Sequence, residues 1–95
     1  MIIEQIKLKK GTAIGLHFEL QNAPLLIIKA DKGFVMCGYL DMNTAEKLGD
    51  VAVRVSGVST FEDVLCAEVK SISSRAQDLG IIVGMKAMDA LELMF

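Results

Sequence analysis

The chain has no tryptophan, one histidine, one proline, one tyrosine and two cysteines in 95 residues. Each shortage closes off a class of function. With His17 alone, a histidine-based metal site would have to recruit both distant cysteines or carboxylates, so neither a metal nor a cofactor is expected. Cys37 and Cys66 fit no metal or redox spacing and read as free thiols of a reducing compartment. Cations are not in excess: 10 Lys and Arg stand against 12 Asp and Glu, a net charge of -2. Nucleic-acid affinity comes mostly from clustered Lys and Arg, so no nucleic-acid partner is expected. No apolar run approaches the ~18 residues of a membrane span. The opening Met1 to Lys7 lacks the basic segment and cleavage site of a secretory signal. The expected location is therefore the cytoplasm, away from membranes. There is no internal repeat, low-complexity segment or linker, and the pairs Gly11 with Gly15 and Gly80 with Gly84 do not match a nucleotide loop.

What is abundant is apolar side chain, at 53% of residues. A chain this short fills one core, so a single domain is expected over residues 1–95. That much apolar surface exceeds what a small monomer hides, which predicts self-association. Six methionines supply adaptable core filling.

The segment from Pro24 to Asp41 organises the rest. Leu25 to Ala30 is apolar on both faces apart from Lys29, the pattern of a central strand covered on two sides. Pro24 suits its first position, where a missing N–H takes nothing from the ladder. Asp31-Lys32-Gly33 is a turn in which Gly33 is expected to take positive φ. Phe34 to Tyr39 returns antiparallel. Before this pair, Ile2 to Lys9 alternates imperfectly, with Ile2, Ile6 and Leu8 on one face, and Lys9-Lys10-Gly11 turns the chain. Thr12 to Leu20 follows with a clear period of two. Ala13, Gly15, His17 and Glu19 lie on its polar side, and Ile14, Leu16, Phe18 and Leu20 on its apolar side. Lys7, Lys9 and Lys10 read as edge protection against unwanted strand pairing.

At Asp41 the period changes. Asn43 as N-cap with Glu46 in a capping box predicts a helix that Gly49 stops. Asp50 to Ser56, with Val51, Val53 and Val55, is a fifth strand that can pair in parallel after the crossover. Thr60 and Asp63 cap a further helix. The spacing of Phe61, Leu65, Val69, Ile72, Ala76 and Leu79 carries one amphipathic helix to Gly80, while alternation at Ala67 to Ile72 also permits a short strand. A final helix is expected from about Met85 to Met94. The fold class is mixed α/β (α+β): a four-stranded antiparallel meander, a short helix, a fifth strand, then two C-terminal helices packed on the sheet.

The segments Leu25-Leu26-Ile27-Ile28, Gly33-Phe34-Val35-Met36-Cys37-Gly38-Tyr39-Leu40-Asp41, Phe61-Glu62-Asp63-Val64-Leu65 and Gly80-Ile81-Ile82-Val83-Gly84-Met85 resemble the YunC-like domain of unknown function family of bacteria and archaea. The resemblance runs over nearly the whole chain. It implies a β-rich oligomerisation region in residues 1–40, a mixed helix and strand region in 41–95, and a homotetramer or dimer joined through the N-terminal strands. It implies no reaction. Lys86 departs from the pattern, since a small hydroxyl residue is expected to open the last helix there.

Cys37 is the leading candidate for chemistry. Near a helix N-terminus a thiol ionises more readily, and Cys37 precedes the helix at residue 43 by a short loop. The competing reading makes it a small buried hydrophobe. Gly38 and Tyr39 are candidate ligand-binding residues, because a glycine there lets a ligand or another backbone come close. His17 or Asp41 would assist Cys37 from the same or an adjacent subunit. The leading function is a homo-oligomeric binding or accessory module with an unknown small-molecule ligand. The alternative is a thiol-dependent enzyme or redox sensor using Cys37.

Overall fold

The computed structural model describes residues 1–95. Strands β1 (Ile2–Lys7), β2 (Thr12–Glu19), β3 (Pro24–Lys29) and β4 (Phe34–Met36) form the meander. Helix α1 (Met42–Leu48) crosses to β5 (Ala52–Arg54), and α2 (Phe61–Cys66), β6 (Ser71–Ile72), α3 (Ser74–Asp78) and α4 (Ala87–Glu92) complete the chain. All six strands join one sheet in the order β1-β2-β3-β4-β5-β6. Only β4 and β5 run parallel, which follows from the helix between them. The α+β class and the parallel fifth strand agree with the sequence reading. The C-terminal part holds three helices and a sixth strand in place of two helices.

The long helix from Phe61 to Leu79 does not form. Ala67 caps α2 in extended conformation with ψ 151. Beyond it the backbone finds strand partners: Val69 N–H donates to Met85 O at 2.8 Å, and Lys70 N–H to Arg54 O at 2.9 Å. These ladders outcompete a helix whose serine-rich middle has modest propensity. Ser73 then starts α3, its hydroxyl accepting from Ala76 N–H. The cap of α1 is Asp41, not Asn43, and its carboxylate accepts from Asn43 N–H at 3.0 Å. Glu46 does not reach back to a cap; it accepts from Ser74 at the start of α3. Gly33 does not take positive φ. It is needed for closeness instead, since a Cβ there would lie 2.5 Å from Val51 O.

Directly opposed residues share a face of the sheet. On one face Leu26, Ile28, Val35, Val53 and Val55 are fully buried beneath Val64 of α2 and Ala87, Ala90 and Leu91 of α4. Ala13 and Gly15 of β2 also face these helices, because a larger residue would not fit: a Cβ on Gly15 would lie 2.7 Å from the Phe61 ring. The expected faces of β2 are thus reversed. Its small residues are inside, and Ile14 and Phe18 are 53% and 47% exposed. Glu92, on the last turn of α4, accepts from Lys9 and Lys10 N–H at 3.0 Å each and so ties the β1–β2 turn to the helical layer.

On the opposite face α1 covers only β4 and β5, where Met36, Ala45 and Ala52 form a second small core. The rest of that face, over β1, β2 and β3, is bare. Ile27 on β3 is therefore only half-buried, and the central strand is covered on one side rather than two.

Candidate functional site

Two surfaces are candidates. The first is a crevice of about 260 Å³ at the end of the sheet. Because β4 and β5 are parallel, their C-terminal ends lie together, and the start of antiparallel β3 lies beside them. Cys37, Gly38 and Tyr39 follow β4; Ser56, Gly57 and Val58 follow β5; Ala23 and Pro24 open β3. These eight residues line the crevice. Gly57 turns the chain there with φ 70, a left-handed conformation that favours glycine. Gly38 has neither positive φ nor crowding, and a Cβ on it would meet nothing within 4 Å.

Cys37 is 4% exposed. Its backbone N–H donates to Leu26 O at 3.1 Å, and its Sγ accepts from Leu26 N–H at 3.4 Å. The thiol thus finishes the β3–β4 ladder where β4 itself has ended. Tyr39 is exposed at the rim.

The other sequence candidates lie elsewhere. His17 pairs with Leu26 on β3, and Cys37 bonds to the far side of the same residue, so two strand spacings of about 10 Å separate their backbones. The His17 side chain is 15% exposed, not on an open polar face; its Nε2 lies 2.7 Å from Glu19 Oε1 and its ring meets Phe61 edge-on at 6.0 Å. Within one chain it does not reach Cys37. Asp41 holds the first turn of α1, accepting also from the Thr44 hydroxyl at 2.8 Å. The Thr44 hydroxyl and then Asn43 N–H hold its carboxyl below the usual range. No group of three or more His, Cys, Asp or Glu side chains comes together to hold a metal. Sequence reasoning found one wall of the crevice and missed the other, Ser56 and Gly57. The available signal was a glycine closing a valine-rich strand, which reads equally well as a plain turn.

The second candidate is the bare face. Ile3, at 64% exposure, Ile14, Leu16, Ile27 and Lys29 surround a shallow hollow of about 300 Å³. Phe18 extends it along β2. Around this hollow the strands present Lys7 and Lys29 and no carboxylate, since Glu4 and Glu19 pair with residues of the helix-covered face.

Residues 36–94 match the family described as Domain of unknown function (DUF1805). The chain is 40% identical to the uncharacterized protein YunC of Bacillus subtilis (strain 168), across 77% of this chain and 76% of that protein. A crystal structure of a protein of unknown function from Thermoplasma acidophilum superposes with a TM-score of 0.95 at 41% identity, covering 99% of this chain and 92% of that one. The solved fold thus includes the N-terminal strands that precede the family match. By sequence and by fold, the chain belongs to the YunC-like DUF1805 family.

Proposed function

We propose that the protein is a homo-oligomeric binding or accessory module of the cytoplasm, a homotetramer or dimer assembled through its N-terminal strands. One observation carries this reading: the bare face of β1, β2 and β3 is built from the apolar residues of a strand whose small residues face the core. A patch centred on Ile3, Ile14, Leu16, Phe18 and Ile27 is of the kind that marks an interaction surface. Covering each half-exposed side chain contributes on the order of 1 kcal/mol. The cytoplasmic placement rests on two cysteines that form no disulfide, Cys37 buried and Cys66 exposed. No helix is long and apolar enough to cross a membrane.

Sedimentation equilibrium at low micromolar concentration tests the assembly. The wild-type chain is expected to sediment as a multimer, and Ile14→Glu to shift it to the single copy with its circular dichroism unchanged. A wild-type chain that is a single copy under these conditions overturns the reading.

The second reading, a thiol-dependent enzyme or redox sensor, draws on the thiol of Cys37 lining a crevice. It requires Cys37 to outpace the exposed Cys66 with a thiol reagent at neutral pH. The burial of Cys37 against the exposure of Cys66 favours the opposite order.

A further inference from the structure

The chain leaves β4 and β5 in opposite directions. After β4 it turns to α1, which packs Ala45 on Met36 and Ala52. After β5 it turns to α2, which packs Val64 among the core residues of the other face. Two adjacent parallel strands whose following helices cover opposite faces leave a gap outside their carboxyl ends, because neither connection crosses it. Open sheets bind small molecules at this kind of switch point. The crevice between Gly38 and Gly57 is that gap.

From this arrangement we infer that the crevice is a binding site for a small uncharged planar heterocycle, a single ring or fused ring pair without a phosphate or carboxylate. Three features fix the class. None of the eight lining residues is an acid, a lysine, an arginine or a histidine, so a charged ligand would lose its water and meet no counter-charge. The crevice, about 260 Å³ and open to solvent on one side, takes a single ring system against its walls. Two of the walls, at Gly38 and Gly57, offer backbone rather than side chain. The exposed Tyr39 ring stands at the rim for stacking, and the Ser56 hydroxyl is available for a ring heteroatom. The site does not depend on how the bare face is covered.

The test uses the full chain in whatever assembly it adopts, with adenine, uracil and nicotinamide as probes and adenosine 5′-monophosphate as the charged control. Amide chemical shifts of Gly38, Tyr39 and Gly57 are followed by heteronuclear NMR. At least one neutral probe is expected to move these amides in a saturable way, and the monophosphate to bind at least tenfold more weakly than adenine. Gly38→Val is expected to abolish the response. A Cβ at 38 meets nothing within 4 Å, and an unchanged spectrum away from the crevice checks that the variant keeps the fold. Tyr39→Ala is a second variant, expected to weaken binding at least fivefold. No saturable shift with any neutral probe, equal or tighter binding of the monophosphate, or an undiminished response in both variants overturns the inference. None of those outcomes bears on the oligomeric state.

Discussion

Glu46 on α1 accepts two hydrogen bonds from Ser74, one from the backbone N–H at 3.0 Å and one from the hydroxyl. The first free N–H of α3 is thereby satisfied by a carboxylate from a helix on the other side of the sheet's parallel pair. The Ser74 hydroxyl, and after it the Ser74 N–H, holds the Glu46 carboxyl below its usual range. A carboxylate depressed in the folded state contributes stability that is present above its unfolded pKa and lost as pH falls through the lower folded value. Asp41 shifts in the same direction, for the reasons given above. Acid should therefore loosen α1 from both ends of its carboxylate set. Below about pH 4, the protection of amides in 42–48 against exchange, relative to the unfolded chain at the same pH, is expected to fall before that of the central strands. Glu46→Gln should flatten that dependence. Equal protection of α1 at neutral and acid pH would contradict it.

Ser73 is the one buried polar side chain of the core, at 1% exposure. Its hydroxyl accepts from Ala52 N–H at 3.0 Å and from Ala76 N–H at 3.3 Å, and donates to Asp50 O at 2.7 Å. Ser73→Ala leaves these partners without a replacement in a site closed to water. The expected cost is on the order of 3 kcal/mol, read as a lower urea midpoint at unchanged slope. A loss under about 0.5 kcal/mol, the range of an ordinary surface change, would mean that water replaces the hydroxyl.

Most of the sheet was legible because strand period and turn chemistry are local. The meander, the parallel fifth strand and the Thr60 cap could be read directly, and Asp63 N–H does donate to the Thr60 hydroxyl at 3.0 Å. What was not legible depends on residues far away in sequence. The alternation from Ala67 to Ile72 permits the short strand that forms as β6, but nothing there announces that Met85 and Arg54 will supply the stretch with partners. Nothing in β2 tells which side faces the helices, because alternation gives two faces without naming the inner one; Phe61, packing on Gly15, decides it. The crevice was half visible for the same reason, since Gly38 and Gly57 meet only through the parallel pairing of β4 with β5.

Two glycines beside β4 should behave oppositely on substitution. Gly33→Ala places a methyl 2.5 Å from Val51 O, a backbone atom that cannot move without displacing the start of β5. Overpacking of that kind costs about 1–3 kcal/mol. Gly38→Ala meets nothing within 4 Å. Its effect should stay within about 0.5 kcal/mol. Thermal denaturation of the pair under identical conditions checks the contrast, and a Gly38→Ala variant as damaged as Gly33→Ala would be inconsistent with this geometry.

The last helix is the weakest-capped element. Lys86 occupies the N-cap of α4 in extended conformation, with φ -71 and ψ 140, and makes no side-chain hydrogen bond. The resemblance had marked this position, where a small hydroxyl residue was expected. The backbone is already that of a capped helix, so a serine can accept from the second or third helical N–H without moving the chain. Lys86→Ser also removes a cation from the positive end of the helix dipole. The gain should be about 1 kcal/mol, which for a domain of this size raises the melting temperature by roughly 4–8 °C. The bridge between Glu68 and Lys86 is made by backbone and survives the change. Lys86→Ala separates the two contributions, since it removes the charge without supplying an acceptor. It should recover only the smaller, salt-sensitive part of the gain, and an alanine variant as stable as the serine one would assign the whole effect to charge.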